Sequence, residues 1–398
     1  MDILLGLLAI VIVLAIAYLM SNDRNIINYK GIIIMLIAQF LITLFLFSTE
    51  IGRIIIDKIS AGFNKLIEFG MDGVEFILGG VEGWSGTFFF NVLLIIIFFS
   101  TLLAVLTHLK ILPFIIKYIG WVLSKVTGLP RVESFNAVNS IFFGQSEALL
   151  AIKSQFHYLD RNRLYIVSAS AMGSVSASIV GAYMQMIPPE YVLVALPLNM
   201  FSALIIASII APVKVEKDED IVDVKNVSEA KSFFEAMGNG ALDGGRIALI
   251  VAAMLVAFIA ALNFVNWLIQ FVFAGITLQE ILGYIIAPIG MLMGIAPGEV
   301  IDAGSIMGTK IVTNEFVAML EFEPMMEHMS EKTVGIVSVF LTSFANFSSI
   351  GIIAGTVQGI DAKKAGDVSK FGMKLLIGAT LASILSATIT GLVIEIMP

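Results

Sequence analysis

The sequence predicts an all-α integral membrane protein, with eight transmembrane helices and two re-entrant helical hairpins arranged as inverted repeats. Three observations carry that reading. Hydrophobic residues make up 58% of the 398-residue chain and charged residues only 14%, against roughly a quarter charged in a soluble domain. Mean hydropathy is +0.98, so polar surface is too scarce to cover a globule in water and the surrounding solvent must be largely lipid. Finally, the stretches free of Asp, Glu, Lys and Arg come in lengths that match a bilayer.

Those stretches are residues 3–20, 31–48, 84–107, 164–189, 191–213, 247–279, 333–360 and 375–394. Each reaches the ~18 residues expected of a membrane helix. The first carries Ala15-Ile16-Ala17, which mimics a signal-peptidase site, but its leading end holds Asp2 and no positive charge. It reads as a retained helix.

The remaining composition excludes several classes. Cysteine is absent and only three histidines occur, His108, His157 and His328, which leaves no thiolate chemistry and no His-rich metal centre. The net charge of −8 is concentrated in the loop from Glu216 to Asp243, and no basic stripe exists for nucleic acid. No P-loop is present, which argues against a self-contained ATP-driven pump. Gly238, Gly240, Gly244 and Gly245 form a loose glycine-rich run that matches neither nucleotide fingerprint and reads as a loop.

Most Lys and Arg fall in five segments: Arg24 and Lys30; Lys110 to Arg131; Lys153 to Arg163; Lys214 to Arg246; and Lys363 to Lys374. Placing these inside puts both termini outside. Because Arg131 and Lys153 then share a side, residues 131–153 must enter the membrane and return. Residues 297–332 are expected to do the same from the opposite face. The two segments are short and polar, each follows an apolar stretch that closes in Gly and Pro, and each contains a Gly-polar-polar turn: Gly144-Gln145-Ser146 and Gly308-Thr309-Lys310. A long span with a polar middle follows each. Interrupted hydrophobic segments at corresponding positions of two halves point to a secondary transporter with its site at the repeat interface.

Carboxylates at membrane depth cost roughly 2.5–3.5 kcal/mol on insertion scales, so Glu147 and Glu315, one per hairpin, are the functional candidates. With Gln145, Ser146, Asn314, Asn346, Ser348 and Ser349 they make a donor–acceptor set suited to a neutral ligand rich in hydroxyl and amide groups. Blander roles compete. The small residues from Ser168 to Ser178 suit close helix packing, and Glu147 and Glu315 suit interfacial ion pairs with Lys153 and Lys310.

At these residues the sequence resembles the concentrative nucleoside transporter family across nearly its full length. The matching stretches are Gly144-Gln-Ser-Glu-Ala148, Ser178-Ile-Val-Gly-Ala-Tyr183, Gly308-Thr-Lys310, Asn314-Glu-Phe-Val-Ala318 and Phe344-Ala-Asn-Phe-Ser-Ser-Ile350. Glu133-Ser-Phe-Asn-Ala-Val138 is most similar to the bacterial, proton-coupled branch. The resemblance implies a homotrimer of elevator-type protomers in the bacterial inner membrane. Its implied division is scaffold helices in 1–110, a first transport repeat in 111–212, a cytoplasmic acidic loop in 213–246, a scaffold helix in 247–279 and a second transport repeat in 280–398. It also implies that Gln145, Ser146 and Glu147 face a nucleobase with Ile179 packed on it. Glu315, Asn346 and Ser349 would hold the ribose, with Phe344 nearby. Ser146 stands where many relatives have Thr.

The family's sodium site uses an Asn that this chain replaces with Ser140, while Asn139 lies one place earlier. Ser174 is retained, and the implied carbonyl ligands are those of Phe143 and Val175. Losing the amide oxygen removes a hard ligand, so the expectation is proton coupling through Glu147 or Glu315, with sodium coupling as the alternative. No cofactor is expected. The combined expectation is a cation-driven symporter importing nucleosides, pyrimidine nucleosides such as uridine first. An intramembrane hydrolase using the two glutamates, or a channel, are the readings from other classes.

Overall fold

The computed structural model describes residues 2–215, 230–273 and 275–397. The centre of the acidic loop, residues 216–229, lies outside the described residues. The chain begins with α1 (Asp2–Leu19) and α2 (Tyr29–Ser48), then α3 (Glu50–Leu78) and α4 (Ile95–His108), which a π-helical turn at Phe89–Leu93 precedes. The first repeat runs through α5 (Ile111–Thr127), α6 (Arg131–Phe142), α7 (Gln145–Ala151), α8 (Arg161–Met172), α9 (Ala177–Tyr183) and α10 (Pro189–Ile210). After α11 (Phe233–Gln270) the same order returns: α12 (Leu278–Leu292), α13 (Val300–Val312), α14 (Glu315–Phe322), α15 (Glu331–Leu341), α16 (Phe347–Ile360) and α17 (Ala362–Ile396). No strand occurs among the described residues.

Six helical segments are long and apolar enough to cross a bilayer by length and composition: α2, the α4 segment, α8 with α9, α10, α11 and α17. The shorter α1 and the broken pair α15/α16 complete the eight crossings. The two expected re-entrant segments are α6/α7 and α13/α14, helical arms joined in each case at a tip of two residues. In each repeat a short 3₁₀ helix, Lys153–Tyr158 or Glu323–His328, then leads into the broken crossing.

Local chemistry explains the ends. Gly128 closes α5 at φ 73°, a left-handed conformation that glycine reaches without a Cβ clash. The side chains of Asp160 and Ser330 cap α8 and α15 by accepting from the N–H groups of Arg163 and Thr333. Behind hairpin 1, Arg163 grips Glu133 with both arms of its guanidinium, Nε to Oε1 at 2.5 Å and Nη2 to Oε2 at 3.1 Å. Both side chains are buried. The bidentate pair ties α6 to α8, and removing one partner of such a buried pair typically costs about 3–5 kcal/mol.

Two elements differ from the sequence expectation. Residues 50–78, which hold no charge-free span, form the 29-residue helix α3. Charges recur along it from Glu50 to Glu75 and it buries only Gly52, Ile56, Gly70 and Val74, so it is an amphipathic helix suited to the membrane interface. The helix expected at 247–279 instead begins at Phe233 and ends at Gln270. It therefore absorbs the glycine run, which is not a loop. Gly240 and Gly244 lie four apart on the face of α11 that meets α4. A Cβ on Gly240 would come within 2.8 Å of the Thr101 Cα, and one on Gly244 within 2.6 Å of the Ile97 Cα. This is the small-xxx-small contact that lets membrane helices approach closely.

Burial separates the crossings. In α8/α9 94% of the apolar window is buried, in α11 only 17%. The strongly enclosed α10 and α17 pack on each other and carry α1 and α2 against their outer sides, whereas α11 packs chiefly along α4. The packing thus groups α1 and α2 with α10 and α17 rather than with α4 and α11.

The glycine contact is testable. Overpacking a tight contact typically costs about 1–3 kcal/mol, so Gly244→Leu should lower the melting temperature of the detergent-purified protein by several degrees. Gly245→Leu, at a glycine whose Cβ would have no neighbour within 4 Å, should leave it unchanged. Equal melting temperatures for the two variants would show that α4 and α11 do not need the close approach.

Candidate functional site

Four helix starts converge on one cavity of about 220 Å³. The tip of hairpin 1 delivers Gln145, Ser146 and Glu147 on the first turn of α7. The tip of hairpin 2 delivers Glu315 at the start of α14. The break between α8 and α9 contributes Ser176, Ser178 and Ile179, and the break between α15 and α16 contributes Phe344, Asn346, Ser348 and Ser349. All eight residues expected to contact a ligand therefore line the same space. An apolar wall from α11, comprising Ile247, Ile250, Val251 and Met254, closes the remaining side.

The polar groups are held by a compact network. Glu315 accepts from the Tyr183 hydroxyl at 2.8 Å on Oε1 and from the Asn346 amide at 3.0 Å on Oε2. Tyr183 comes from α9 and Asn346 from the second break, so this carboxylate links the two repeats. Asn346 also caps α16, its Oδ1 accepting from the Ser349 N–H at 3.0 Å and from the Ser348 hydroxyl at 2.6 Å. Asn314 caps α14 by accepting from the Val317 N–H at 3.0 Å. Each cap satisfies a backbone donor that a helix start leaves without a partner.

Hairpin 1 is organised differently. The Glu147 carboxylate folds back over the tip, where a Cβ on Gly144 would come within 2.5 Å of its Oε2. Gly144 itself has φ −63°, so its backbone conformation does not call for glycine, and a Cβ there would displace the Glu147 carboxylate from this position. The Thr356 hydroxyl of α16 donates to Ser146 at 2.8 Å, fastening hairpin 1 to the second repeat. Two polar atoms in the cavity wall, Gln145 Oε1 and Ser349 Oγ, are buried without a hydrogen-bond partner among the described residues. Such a group costs about 1–3 kcal/mol when left unsatisfied, and both belong to residues that line the cavity.

The candidate ion-site residues lie behind the hairpin 1 tip. The Ser174 hydroxyl donates to the Ser140 carbonyl at 2.9 Å, and the Ser140 hydroxyl donates to the Asn136 carbonyl at 2.7 Å. Asn139 turns to α7, its amide N–H reaching the Ala148 carbonyl at 3.5 Å, and its Oδ1 is buried without a partner among the described residues. Phe143 ends α6 by donating its N–H to the Asn139 carbonyl at 3.0 Å, and Val175 sits between Ser174, whose carbonyl accepts from the Phe344 N–H at 3.1 Å, and the cap Ser176.

Two residues of this network escape the sequence pattern. Tyr183 lies within a stretch that carries the resemblance, four residues after Ile179 on the same face of α9, and that spacing is the available signal. Thr356 stands in an apolar helix with nothing in the pattern to distinguish it. Lys310 does not form the interfacial ion pair that competed as an explanation of Glu315. It is fully buried and donates to the Phe340 carbonyl and the Ser343 hydroxyl.

Three family models match the chain in succession: "Na+ dependent nucleoside transporter N-terminus" over residues 8–81, "Nucleoside recognition" over 89–190 and "Na+ dependent nucleoside transporter C-terminus" over 191–391. The chain is 38% identical to the purine nucleoside transport protein NupG of Bacillus subtilis, covering 98% of both chains. It is 33% identical to the nucleoside permease NupC of Helicobacter pylori, again covering 98% of each. Among solved structures, CNTnw in an inward-facing substrate-bound state superposes with a TM-score of 0.93 at 30% identity, covering 99% of this chain and 98% of that one. A variant of CNTnw in an intermediate state gives 0.92 at 31% identity, with 98% and 99% covered. Its relatives are permeases rather than enzymes, and on this agreement of sequence, fold and cavity the chain belongs to the concentrative nucleoside transporter family.

Proposed function

We propose that this protein is a proton-driven nucleoside symporter of a bacterial inner membrane. It works as a homotrimer of elevator protomers with both termini outside, and it accepts purine as well as pyrimidine nucleosides. The observation that carries the ligand assignment is the convergence of eight expected contact residues, two with orphaned polar atoms, on one cavity between the hairpin tips. In this reading Gln145, Ser146 and Glu147 meet the base against Ile179. Glu315, Asn346 and Ser349 take the ribose hydroxyls beside Phe344, since a carboxylate accepts from paired hydroxyls and an amide supplies both donor and acceptor. The Bacillus relative is described as a purine nucleoside transporter, which is why the range extends beyond uridine.

The moving part is proposed to comprise both repeats together with α1 and α2, which pack on α10 and α17. The fixed part is α4 and α11, locked by their glycine contact, with α3 alongside. The apolar wall that α11 gives the cavity is then the surface past which the loaded domain slides.

Proton coupling is supported by residue 140, where a serine hydroxyl stands in place of the amide oxygen of the family's sodium site and so leaves one hard ligand fewer. Glu147 is the proposed proton carrier. Both oxygens of Glu315 are taken by fixed donors, whereas the Glu147 side chain stays open to the cavity. One observation favours sodium instead: the orphaned Oδ1 of Asn139 is a hard ligand of the kind sodium prefers.

Uptake of labelled uridine and adenosine into proteoliposomes decides between them. An inward proton gradient without sodium should drive accumulation of both, and an inward sodium gradient at equal pH should not. Glu147→Gln should abolish the proton-driven component. Accumulation driven only by sodium, with Asn139→Leu inactive, would overturn proton coupling. Saturable binding of neither nucleoside would overturn the ligand assignment.

The Glu315 network makes a second prediction. Hydrogen bonds to charged groups contribute about 1.5–3 kcal/mol, so Tyr183→Phe should weaken nucleoside binding by roughly tenfold in calorimetry. Asn346→Ala should weaken it further, because it also removes the cap of α16. Wild-type affinity in Tyr183→Phe would mean that Tyr183 does not orient Glu315.

A further inference from the structure

The two repeats correspond so closely that positions pair by counting from element ends. Ser140 and Lys310 each lie two residues before the last residue of the hairpin's first arm, α6 ending at Phe142 and α13 at Val312. Ser174 and Ser343 each lie two residues beyond the first half of the broken crossing, α8 ending at Met172 and α15 at Leu341. In the first repeat the pair meets directly, the Ser174 hydroxyl donating to the Ser140 carbonyl at 2.9 Å and reaching the Ala171 carbonyl at 3.4 Å. In the second repeat a side-chain ammonium stands between them. Lys310 Nζ donates to the Ser343 hydroxyl at 2.6 Å and to the Phe340 carbonyl at 2.8 Å. Phe340 is the counterpart of Ala171, each the next-to-last residue of its half-helix. The Ser383 hydroxyl of α17 lies at 3.5 Å, and the Phe340 ring centroid at 4.4 Å.

The surroundings of that nitrogen are those of a small bound cation. A helix-end carbonyl and two hydroxyls present oxygen, an aromatic face presents its negative quadrupole, and the broken end of α15 adds the negative pole of its dipole. Glu315, the first residue of the hairpin's second arm, is the acidic group acting on it electrostatically. Lys310 is 0% exposed, and a buried cation is tolerated only when it is paired and hydrogen-bonded in this way.

We propose that Lys310 is a tethered cation. Its ammonium permanently fills, in the second repeat, the position equivalent to the candidate ion site of the first, and so holds the α15/α16 break and orients Glu315 and Asn346 without exchanging with solvent. Ion exchange during transport is thereby confined to the first repeat, and Lys310 is a positioning residue for the cavity. The inference deepens the proposed nucleoside site and rests on it for the binding effect, whereas the ion effect on stability does not depend on it.

The test compares wild type with Lys310→Ala, Lys310→Ser and Lys310→Met, purified in detergent. Melting temperature and nucleoside affinity are measured in choline, sodium and methylammonium chloride at equal ionic strength, each shift being taken relative to wild type. In choline, Lys310→Ala should melt lower and bind adenosine or uridine at least tenfold more weakly. Methylammonium, which restores the missing ammonium and its methyl stem, should recover most of both losses. Lys310→Ser, which copies Ser140 into the second repeat, should gain no sodium-dependent stabilisation, as the first repeat's Ser pair lacks the amide oxygen of a sodium site, but should recover with methylammonium. Lys310→Met, which fills the space with no charge, should respond to neither ion.

Losses that no small cation restores would overturn the proposal, as would wild-type stability and affinity of Lys310→Ala in choline. If Lys310→Ala fails to fold in every buffer while Lys310→Met folds and binds normally, the side chain is a space filler and the proposal fails. Wild type that binds no nucleoside would instead overturn the ligand assignment, leaving the melting comparison to decide the role of Lys310.

Discussion

Interrupting a helix inside a bilayer frees backbone N–H and C=O groups with no water to take them, and unsatisfied groups there cost several kcal/mol each. The two broken crossings and two hairpin tips of this protein all pose that problem within one small volume. Side chains and the opposite repeat solve it. Ser176 and Asn346 cap the restarted half-helices α9 and α16. The Ser174 hydroxyl reaches the Ala171 carbonyl at 3.4 Å, and the Asn199 amide takes that of Thr342. The breaks also satisfy each other, the Phe344 N–H donating to the Ser174 carbonyl at 3.1 Å. Two of the polar residues that make the breaks possible, Ser176 and Asn346, also line the cavity. Asn346 shows the economy of this, since one side chain caps α16 and fixes Glu315.

That constraint also explains what can be read from the chain. Charge-free runs are forced by the lipid, so the eight crossings are legible. The polar tips at 144–147 and 314–315 are legible because polar residues at membrane depth need a reason. The amphipathic helix α3 is not, because interfacial helices mix charge with apolar residues and leave no run to count. The glycines at 240 and 244 look like a loop in the sequence, since a tight helix contact and a flexible segment favour the same residue, and only the four-residue spacing separates them. Lys310 looks like an interfacial charge because lysine is expected near water. Its actual place depends on partners from α15 and α17 that lie 30 and 73 positions away, which no local pattern shows. Tyr183 and Thr356 escape notice for the same reason: each acts on a residue more than 100 positions distant.

Motion and rigidity divide along the same lines. The enclosed crossings α8/α9, α10 and α17 share a dense interior, with Tyr165 of α8 donating its hydroxyl to the Lys374 carbonyl of α17 at 3.0 Å. Across α2, α10 and α17, Gln39, Ser202 and Ser386 form a buried chain of hydrogen bonds at 2.9–3.0 Å. Shearing α2 from α10 would leave those groups unsatisfied in an apolar surrounding, which favours their moving as a unit. The cavity meets α11 through Ile247, Ile250, Val251 and Met254, none of which needs a hydrogen-bond partner. An apolar seam can slip without stranding donors, so the contrast between the buried polar links of α2 and the greasy wall of α11 locates the plane of sliding in the proposed elevator.

The inverted repeat finally bears on what kind of ligand fits. Gln145 and Glu315 open the second arms of their hairpins at equivalent positions. Their neighbours diverge, Gly144 against Asn314 and Glu147 against Val317. A faithful two-fold site would present identical ends to its ligand. Here one end offers an amide with an orphaned oxygen and a carboxylate folded over glycine. The other offers a carboxylate locked by Tyr183 and Asn346 and backed by a buried ammonium. A nucleoside is likewise two unlike ends, a planar base with mixed donors and acceptors and a sugar with adjacent hydroxyls. The backbone symmetry supplies two converging helix starts. The broken sequence symmetry, Lys310 against Ser140 included, makes them different enough to hold such a molecule in one orientation.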